Sequence, residues 1–527
     1  MSYATDSQKP DRKPITVVRI DFDNLPVEDP LYLCDSLPPL GQNFWHCVSG
    51  VSFSPTKITG DGLGYRANVT ISIEDFPHGN GTFFGRHLGA NPFFLDRPIR
   101  VYQGFFHDPF DLANLKERLY FIKKIDGPDE KGRIKITGSD VLSLLDGDRA
   151  LWPLASYGNL ASALTSSATG SINIGDNTNI TATSYVIIDS EICQVSAITG
   201  ATNITISARG RFGTEAVAHD ADAPVRRISY ASGTNVVDRI YNLISDATTI
   251  DVATYIDLDE WNAQRDTYLA TDDVTGVIIE PTPVKDLLKD LCKQFQMALW
   301  WDDEAQLIKL KAIGPTITPA VMINTADHIL SQGHAIKRDQ SKAVTQVWVY
   351  YDKIDGSKGN DPENFRYYYV HIDADLESAE GYGAAKIERV YADQIPAAGT
   401  STAAKIAQRI VSRMREGAVE ITFQLDVRDA SIAVGDIIQI STDLIQDENG
   451  TPAPKNLMII ERNRTDSAVH YVAVPTGIEV GSRYGYVAPN STVNYTSATT
   501  EQRARYTWIA SASTGELSNG DSAYLLV

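Results

Sequence analysis

Cysteine is scarce in this sequence, with four residues among 527: Cys34, Cys47, Cys193 and Cys292. No two of them stand in a CxxC spacing, so a fold built on disulfides is excluded at this length. His46 beside Cys47, together with Cys34, raises a nucleophilic or a metal site as alternatives. A catalytic Cys–His pair needs a spatial geometry that adjacency in sequence does not supply, and a metal needs further ligands. We predict neither site here, and a Cys34–Cys47 disulfide stays an alternative.

Long apolar runs and basic charge are also lacking. No stretch of about 18 apolar residues occurs, and the polar N-terminal residues contain no cleavable apolar segment. This pattern predicts a soluble protein without a standard secretion signal. Lys and Arg number 47 against 67 Asp and Glu, which gives a net charge of −20. An acidic chain disfavours broad contact with phosphates, whereas it would suit a wall past which DNA slides.

The common catalytic motifs are absent as well: we find no G-x-S-x-G, HExxH, P-loop or EF-hand loop. The stretch Arg209–Thr214, followed by His219, has the look of a glycine-rich phosphate loop with a metal-binding tail. It matches neither phosphate-binding consensus, so we interpret it as a turn-rich connection between strands.

Two clusters rich in acidic residues are candidate metal-binding or catalytic sites. His371, Asp373 and Asp375 fall on one face of an extended segment, as metal ligands do, but a solvated edge strand is the favoured interpretation. Asp302, Asp303 and Glu304 imitate a catalytic carboxylate pair, yet adjacent acids at a predicted turn usually form only a turn. We therefore predict no catalytic residue, no cofactor and no metal.

The most informative stretch is Thr400–Ser441. Apolar residues Ile406, Ile410 and Val411 form one stripe of an amphipathic helix over 402–416, with Ser401 or Thr402 as its cap and Gly417 as its stop. The period then changes to two along Val419–Leu425, and a strand returns after the Gly435-Asp436 corner.

The whole pattern predicts a mainly β (β+α) multidomain fold. It consists of small antiparallel β-barrels or sandwiches with a few short helices packed on them, plus an inserted all-β module. Leu31–Val48 is expected to be a loop, and Gly79–Pro98 a further irregular excursion. The predicted domains are a flexible arm (1–14), a first β-barrel (15–152), the insert (153–228), an α+β domain (229–342), a second barrel (343–480) and an aromatic docking segment (481–527).

Several phrases resemble the hub proteins of bacteriophage tails. Residues 429–441, DASIAVGDIIQIS, are similar to the hub-barrel phrase, and 283–292, PVKDLLKDLC, to the helix before its hairpin. The segments 81–86, GTFFGR, and 97–102, RPIRVY, resemble the first hub domain of long non-contractile tails. The stretch from 185–191, YVIIDSE, to 211–219, RFGTEAVAH, resembles a small β insert of such proteins. The resemblance covers most of residues 15–480.

The resemblance implies a structural virion protein at the distal end of the tail, made in the cytoplasm of a bacterial host. It implies a homotrimer whose two related barrels per chain form a ring of six under the tail tube. The implied partners are the distal tail-tube ring protein, the tape-measure protein and tip or fibre proteins, with genomic double-stranded DNA passing through the lumen without specific binding. The metal cluster that a cysteine-rich N-terminal segment holds in some relatives is not expected with Cys34 and Cys47 alone.

Two alternatives belong to other classes. One is a virion-associated carbohydrate-active or lytic enzyme, which needs two carboxylates about 5–10 Å apart in a cleft. The other is a receptor-binding module formed by the insert or by the aromatic tail.

Overall fold

The structure is a computed structural model. It describes residues 13–22, 30–36, 44–59, 62–65, 67–106, 110–313, 321–324, 328–330, 334–355, 358–415, 417–426, 431–446, 449–464, 468–475, 486–487, 497–499 and 506–507. Strands predominate and helices are few and short, which confirms the mainly β fold class. None of the helices in these ranges is long and apolar enough to cross a membrane.

The first part of the chain forms an eight-stranded sheet. Its elements are β1 Pro14–Ile20, β2 Leu31–Cys34, β3 Phe44–His46, β4 Val48–Ser54, β5 Lys57–Ile58, β6 Gly64–Tyr65, β7 Asn68–Glu74, β8 Pro77–His78, β9 Gly81–Thr82, α1 Phe83–Ala90, β10 Pro98–Phe105, β11 Lys116–Asp126 and β12 Arg133–Ser139. The strand order is β3-β2-β1-β10-β11-β12-β7-β4. Alternate residues of these strands, among them Val69, Ile71 and Ile73, point into one buried core.

A single bent strand closes this sheet into a barrel. β3 and β4 are the two ends of the strand order, and only Cys47 separates them in sequence. The Cys47 N–H donates to the Cys34 carbonyl (3.2 Å), and the Cys47 carbonyl accepts from the Glu74 N–H (2.8 Å). The two edges of the sheet are therefore joined by one continuous segment, and no long free edge remains between them.

The structure corrects two sequence predictions in this region. Leu31–Val48 is not a loop, because its described residues include β2 and β3. Gly79–Pro98 contains α1, although Gly85 and Gly89 disfavour a helix. Phe83, Phe84 and His87 of α1 are fully buried, and packing against the barrel core outweighs the low helix propensity.

The insert is a separate sheet with its own core. Its strands are β13 Leu151–Trp152, β14 Gly158–Asn159, β15 Gly170–Asn173, β16 Tyr185–Ile188, β17 Glu191–Thr199, β18 Asn203–Ala208 and β19 Pro224–Asn235. β13 pairs outside this sheet, whose order is β14-β19-β16-β17-β18-β15. Val186, Val195 and Ile206 belong to a buried cluster distinct from the barrel cores.

A helix-rich segment follows. It comprises α2 Val236–Ala247, α3 Val252–Tyr255, α4 Leu258–Gln264, β20 Asp273–Ile278, β21 Thr282–Pro283, α5 Val284–Phe295, β22 Met297–Asp302 and β23 Leu307–Ala312. The apolar faces of α2 and α5 and the β22–β23 hairpin share the largest buried cluster. Trp261 lies inside it and donates its indole N–H to the Ile308 carbonyl (2.9 Å).

The last large part contains two sheets. Its elements are β24 Val321–Asn324, β25 Ala335–Asp339, β26 Gln346–Lys353, β27 Phe365–Ile372, α6 Ala374–Glu377, β28 Ile387–Ala392, α7 Thr400–Met414, β29 Ala418–Asp426, β30 Ile437–Ser441, β31 Lys455–Arg464 and β32 Ala468–Pro475. One sheet has the order β24-β30-β31-β32-β29-β25, and the other has the order β27-β26-β28.

The predicted helix over 402–416 is α7, and its start is corrected. Gly399 is the N-cap and Thr402 lies inside the helix, where its hydroxyl donates to Asp272 (2.9 Å). Gly417 adopts the predicted left-handed conformation after the helix, with φ of 83°.

The sheet of the second barrel has a similar pairing at its two ends. β24 and β25 are the ends of its order, and Ile329 between them bridges to Leu425 of β29. In each barrel the first end strand, β3 or β24, pairs in parallel with β2 or β30. The second end strand, β4 or β25, pairs antiparallel with β7 or β29.

The remaining strands of the two barrels also correspond. After the second end strand the order is β7-β12-β11-β10 in the first barrel and β29-β32-β31-β30 in the second. The corresponding hairpins carry a register shift at similar places, between Ile122 and Lys124 and between Ile459 and Glu461. The first barrel differs by having β1 and β2 as additional strands. The chain therefore contains two copies of one barrel plan.

The chain up to Gly477 forms one compact unit, and the residues from Ile478 onward form another. The proposed division of the first unit into separate domains stays a prediction. In the second unit β33, Tyr486–Val487, pairs in parallel with β34, Tyr506–Thr507. Residues 1–12 of the predicted arm and most of the docking segment lie outside the described residues.

One glycine of the second barrel allows a close approach to the β22–β23 hairpin. Gly435 has φ of 88°, and a Cβ placed on it would lie 2.5 Å from the ring of Trp300. We expect Gly435→Ala to lower the free energy of unfolding by about 3 kcal/mol, from left-handed strain and overpacking together. Urea unfolding measures the change. Gly450→Ala is the matched control: its φ is 79° but its nearest neighbour is 4.0 Å away, so strain alone should cost about 1 kcal/mol. Equal losses in the two variants would contradict the packing argument.

Candidate assembly site

The acidic turn Asp302–Glu304 lies where the two barrels and the β22–β23 hairpin meet. It is a turn, as predicted: the Asp302 carboxylate accepts the N–H groups of Glu304 and Ala305, each at 3.0 Å. The turn also carries the ion pairs of the junction, which the sequence did not reveal. Asp303 pairs with Arg118 of the first barrel (2.8 Å), and Glu304 pairs with Arg462 of the second (2.9 Å).

Further contacts strengthen this junction. Lys116 of β11 lies 2.8 Å from Glu304, and Lys57 of β5 lies 3.1 Å from Glu461. β5 lies between β4 and β7 of the first barrel in sequence and pairs with β31 of the second. The Arg118 guanidinium also stacks over Phe53, at 4.6 Å from the ring centre. Arg118 and Lys116 of the first barrel and Arg462 of the second thus converge on the acids of the hairpin, and Lys57 binds Glu461 of β31.

A small cleft of about 40 Å³ lies at this junction, lined by Trp300 and Trp301 among others. Burial raises the pKa of Asp303, and the neighbouring Arg118 opposes this shift. A carboxyl with a raised pKa in a cleft is also found in general acids. Here Asp303 and Glu304 are each paired with a cation of one of the barrels. The arrangement is suited to fastening three parts of the fold together.

The loop at Arg209 is a structural clamp inside the insert. Arg209 makes two hydrogen bonds of 2.6 Å to the Glu191 carboxylate and donates further to the carbonyls of Thr165, Ala168 and Val217. The Glu191 side chain is fully buried. Because its donors are taken up by the protein itself, Arg209 is not arranged to receive a phosphate.

His219 completes this buried network. Its Nε2 lies 3.0 Å from Glu191, and its Nδ1 lies 2.6 Å from Asp189. The two carboxylates therefore approach opposite sides of one imidazole, so they do not converge on a common point as metal ligands do. Within the described ranges, no group of three or more His, Cys, Asp or Glu side chains is arranged to hold a metal.

His371, Asp373 and Asp375, the second candidate metal-binding group, make separate contacts. Asp373 caps α6 by accepting the Leu376 N–H (3.4 Å) and lies 3.7 Å from Arg415. His371 lies on β27 opposite Val347, and burial lowers its pKa. Asp375 lies on α6 and is exposed.

Cys34 and Cys47 are both buried, and both thiols contact the Trp45 carbonyl, at 3.6 Å and 3.7 Å. Cys34 packs in a cluster with Ile15 and Val17, whereas Cys47 packs in the barrel core with Val18 and Ile20. Burial raises the pKa of Cys34 to about 11 and that of Cys47 to about 12, so both are poor nucleophiles near neutral pH. His46 is exposed and contacts the Asp35 carbonyl through Nε2 (3.1 Å). Both cysteines are free thiols in this structure, and their raised pKa values disfavour a catalytic pair.

Known proteins offer only distant similarity. No protein-family model matches the chain, and no curated protein matches it. Among solved structures, a tail protein from Neisseria meningitidis MC58 has 11% identity and a TM-score of 0.44, over 88% of this chain and 97% of that one. The 43 kDa tail protein of prophage MuSo2 from Shewanella oneidensis has 10% identity and a TM-score of 0.43, over 88% and 99%. Prophage tail protein gp18 from Listeria monocytogenes EGD-e has 10% identity and a TM-score of 0.38, over 87% and 94%. With TM-scores below 0.5, these similarities carry no argument about what this chain does.

Removing one cation of the junction should loosen it. We expect Arg462→Met to lower the free energy of unfolding by about 2 kcal/mol, because Glu304 then loses a largely buried partner. Lys124→Met is the matched control, since Lys124 pairs with Asp126 at an exposed site and should change stability by less than about 0.5 kcal/mol. Urea unfolding compares the two. Equal effects would show that the junction pair behaves as an ordinary surface pair.

The insert should lose stability in acid through Glu191. Burial alone would raise the pKa of Glu191, but hydrogen bonds from Arg209, Val217, His219 and Gly210 outweigh it and lower the pKa from 4.5 to about 2. The folded state therefore binds this proton less readily than the unfolded state. The stabilisation is complete above pH 4.5 and is lost as the pH falls towards 2.

We expect Glu191→Gln to cost about 3 kcal/mol at pH 7, because Arg209 is left without its carboxylate. The difference from the wild type should shrink below pH 4.5, as measured by thermal unfolding across pH 7 to 3. Glu215→Gln, at an exposed position of the same insert, is the control and should change little. A difference that stays constant with pH would contradict the ion-pair role of Glu191.

Proposed function

We propose that this chain is a structural hub protein of a bacteriophage tail tip or baseplate. The observation that carries the proposal is the presence of two barrels with one plan in one chain. Both have the strand order described above, the same pairing of their two end strands and a similarly placed register shift. The sequence segments that resemble hub proteins imply the same two-barrel arrangement, and this inference does not use the strand order.

A chain with two barrels of the same strand order gives a ring twice as many similar positions as it has chains. Three copies arranged head to tail place six similar barrels around an axis, and such heterologous contacts close when the rotation per copy is a simple fraction of a circle. The ion-paired junction fastens the two barrels of each chain against each other. In this proposal the junction sets the angle between neighbouring barrels of the ring.

The hub closes the distal end of the tail tube and anchors tip or fibre proteins. It meets the tube ring protein and the tape-measure protein, and it lets DNA pass during ejection, without catalysis. A trimer carries a net charge of about −60, three times that of the chain. Acidic walls repel the DNA phosphates, so the genome slides past without binding.

The proposal is tested on assembled tails. The chain is coexpressed with the products of its neighbouring genes, and the particles are imaged by electron cryomicroscopy. We expect three copies around the axis at one end of the tube, with a mass near three times 57.8 kDa when that ring is isolated. A single copy at the periphery of the particle, or a ring with a basic lumen, would contradict the proposal.

A further inference from the structure

Two exposed apolar surfaces on this chain differ in shape. One is a protruding loop on the first barrel, and the other is a flat sheet face. We propose that they bind each other between neighbouring copies of the chain, the loop of one copy against the sheet of the next. This inference rests on the proposed trimeric hub and names the contact that would hold it together.

The first surface, the Phe93 loop, is defined by Phe93 and Leu95. Their side chains are 84% and 56% exposed. Phe94 between them is partly buried against the barrel core, so the loop is anchored by its middle residue. A large apolar side chain held out in water in this way is typical of a residue that binds another molecule.

The Phe93 loop is held rigidly. Asp96 adopts a left-handed conformation (φ 62°), and its carboxylate contacts Lys123 of β11 at 2.5 Å and also Arg149. The backbone is tied to the same strand, because the Asp96 N–H donates to the Ile122 carbonyl (2.8 Å) and the Ile122 N–H donates to the Arg97 carbonyl (2.9 Å). A fixed loop loses little conformational entropy on binding, which favours affinity.

The second surface, the aromatic face, belongs to the sheet β27-β26-β28. The opposite face of this sheet packs against α7 and contributes Val347, Val349 and Val390 to the main core. The aromatic face carries neighbouring rings: Trp348 stacks on Tyr368 at 6.5 Å, and Tyr350 stacks on Tyr391 at 5.4 Å. Among the described residues, no element of the first compact unit is paired with the outer edge of β27.

Exposure and composition support binding at the aromatic face. Tyr368, Ile372 and Ile387 are 65%, 50% and 41% exposed, and the Arg389 guanidinium lies 5.7 Å from the Trp348 ring centre. Trp, Tyr and Arg are the residue types that dominate binding energy at protein interfaces. β27 also has no proline or glycine and little net charge, and natural proteins seldom leave such an edge uncovered.

The shapes and the charges favour a second copy as the partner. A twofold dimer requires one patch that is complementary to itself, whereas a head-to-tail ring requires two different patches on each chain. Cations lie beside the Phe93 loop: Arg97 donates from Nε to the Phe93 carbonyl (3.4 Å), and Lys123 and Arg149 pair with Asp96. The aromatic face ends at Phe365, next to the exposed acids Asp361 and Glu363. In the proposed contact, the cations beside the loop meet these acids at the Phe365 end of the sheet.

The test uses two single variants, Phe93→Asp and Tyr368→Asp, and a control, Leu258→Asp. Leu258 is 45% exposed at the start of α4 and belongs to neither surface. The Phe93 and Leu258 side chains are exposed, so these two variants should melt at the wild-type temperature. Tyr368→Asp also loses ring contacts with Trp348 and Tyr350, so it should melt slightly lower and still be folded at the temperature of the assay. Oligomeric state is measured by native mass spectrometry and mass photometry, at about 1–10 µM, where specific contacts are populated.

We expect the wild type and Leu258→Asp to be trimeric, and each surface variant to associate at least about 30-fold more weakly. An equimolar mixture of Phe93→Asp and Tyr368→Asp should form a one-to-one dimer. The intact loop of one variant meets the intact sheet of the other, but the second contact is broken on both sides and the ring does not close. This outcome is specific to a head-to-tail contact between these two surfaces.

Three results would overturn the inference: a monomeric wild type, surface variants that remain trimeric, or variants that fail to pair when mixed. The proposed function is separable from it. Assembled tails that show a threefold ring of Phe93→Asp or Tyr368→Asp would leave the hub proposal intact and contradict only this contact.

Discussion

Pairing of backbone N–H and C=O groups along one bent strand is the constraint on which the rest of this structure depends. A sheet with two open edges leaves rows of polar groups to be covered. In the first barrel Cys47 joins β3 to β4, and the strand serves both edges in turn. Closure fixes which side chains point inward, so Val69, Ile71 and Ile73 line a core that excludes water.

The second barrel has the same pairing at its ends with fewer strands. Its end strands are β24, which pairs in parallel, and β25, which pairs antiparallel. A whole sheet and helix, β26 to α7, lies between β25 and β29 without altering the strand order of the barrel. Insertions of this size are tolerated where the chain enters and leaves at nearby points, because little of the host's packing changes.

Buried charged groups stabilise the fold in different ways in the insert and at the junction. In the insert, Glu191, Arg209 and His219 satisfy one another and the surrounding backbone, which orders a loop that apolar packing alone does not cover. At the junction, Asp303 and Glu304 join separate parts of the chain to one turn. Charges with several hydrogen-bond partners lose less on leaving water, and their directional contacts select one arrangement. These contacts therefore fix how the two barrels of the chain meet.

The mainly β fold class, the helix α7 and the alternating strand β29 could be predicted from the sequence, because periods of 3.6 and 2 are local properties. The sequence also identified Asp302–Glu304 as a turn. The strands β2 and β3 could not be predicted: with four and three residues they are too short to show a period, and they form by pairing in parallel with each other at the closure of the barrel. The helix α1 could not be predicted either, because the burial of Phe83 and Phe84 outweighs the low helix propensity of Gly85 and Gly89. The partners of Asp303 and Glu304 are also known only from the structure. These contacts join residues far apart in the chain, and the free energy that selects them comes from burial, which no local pattern contains.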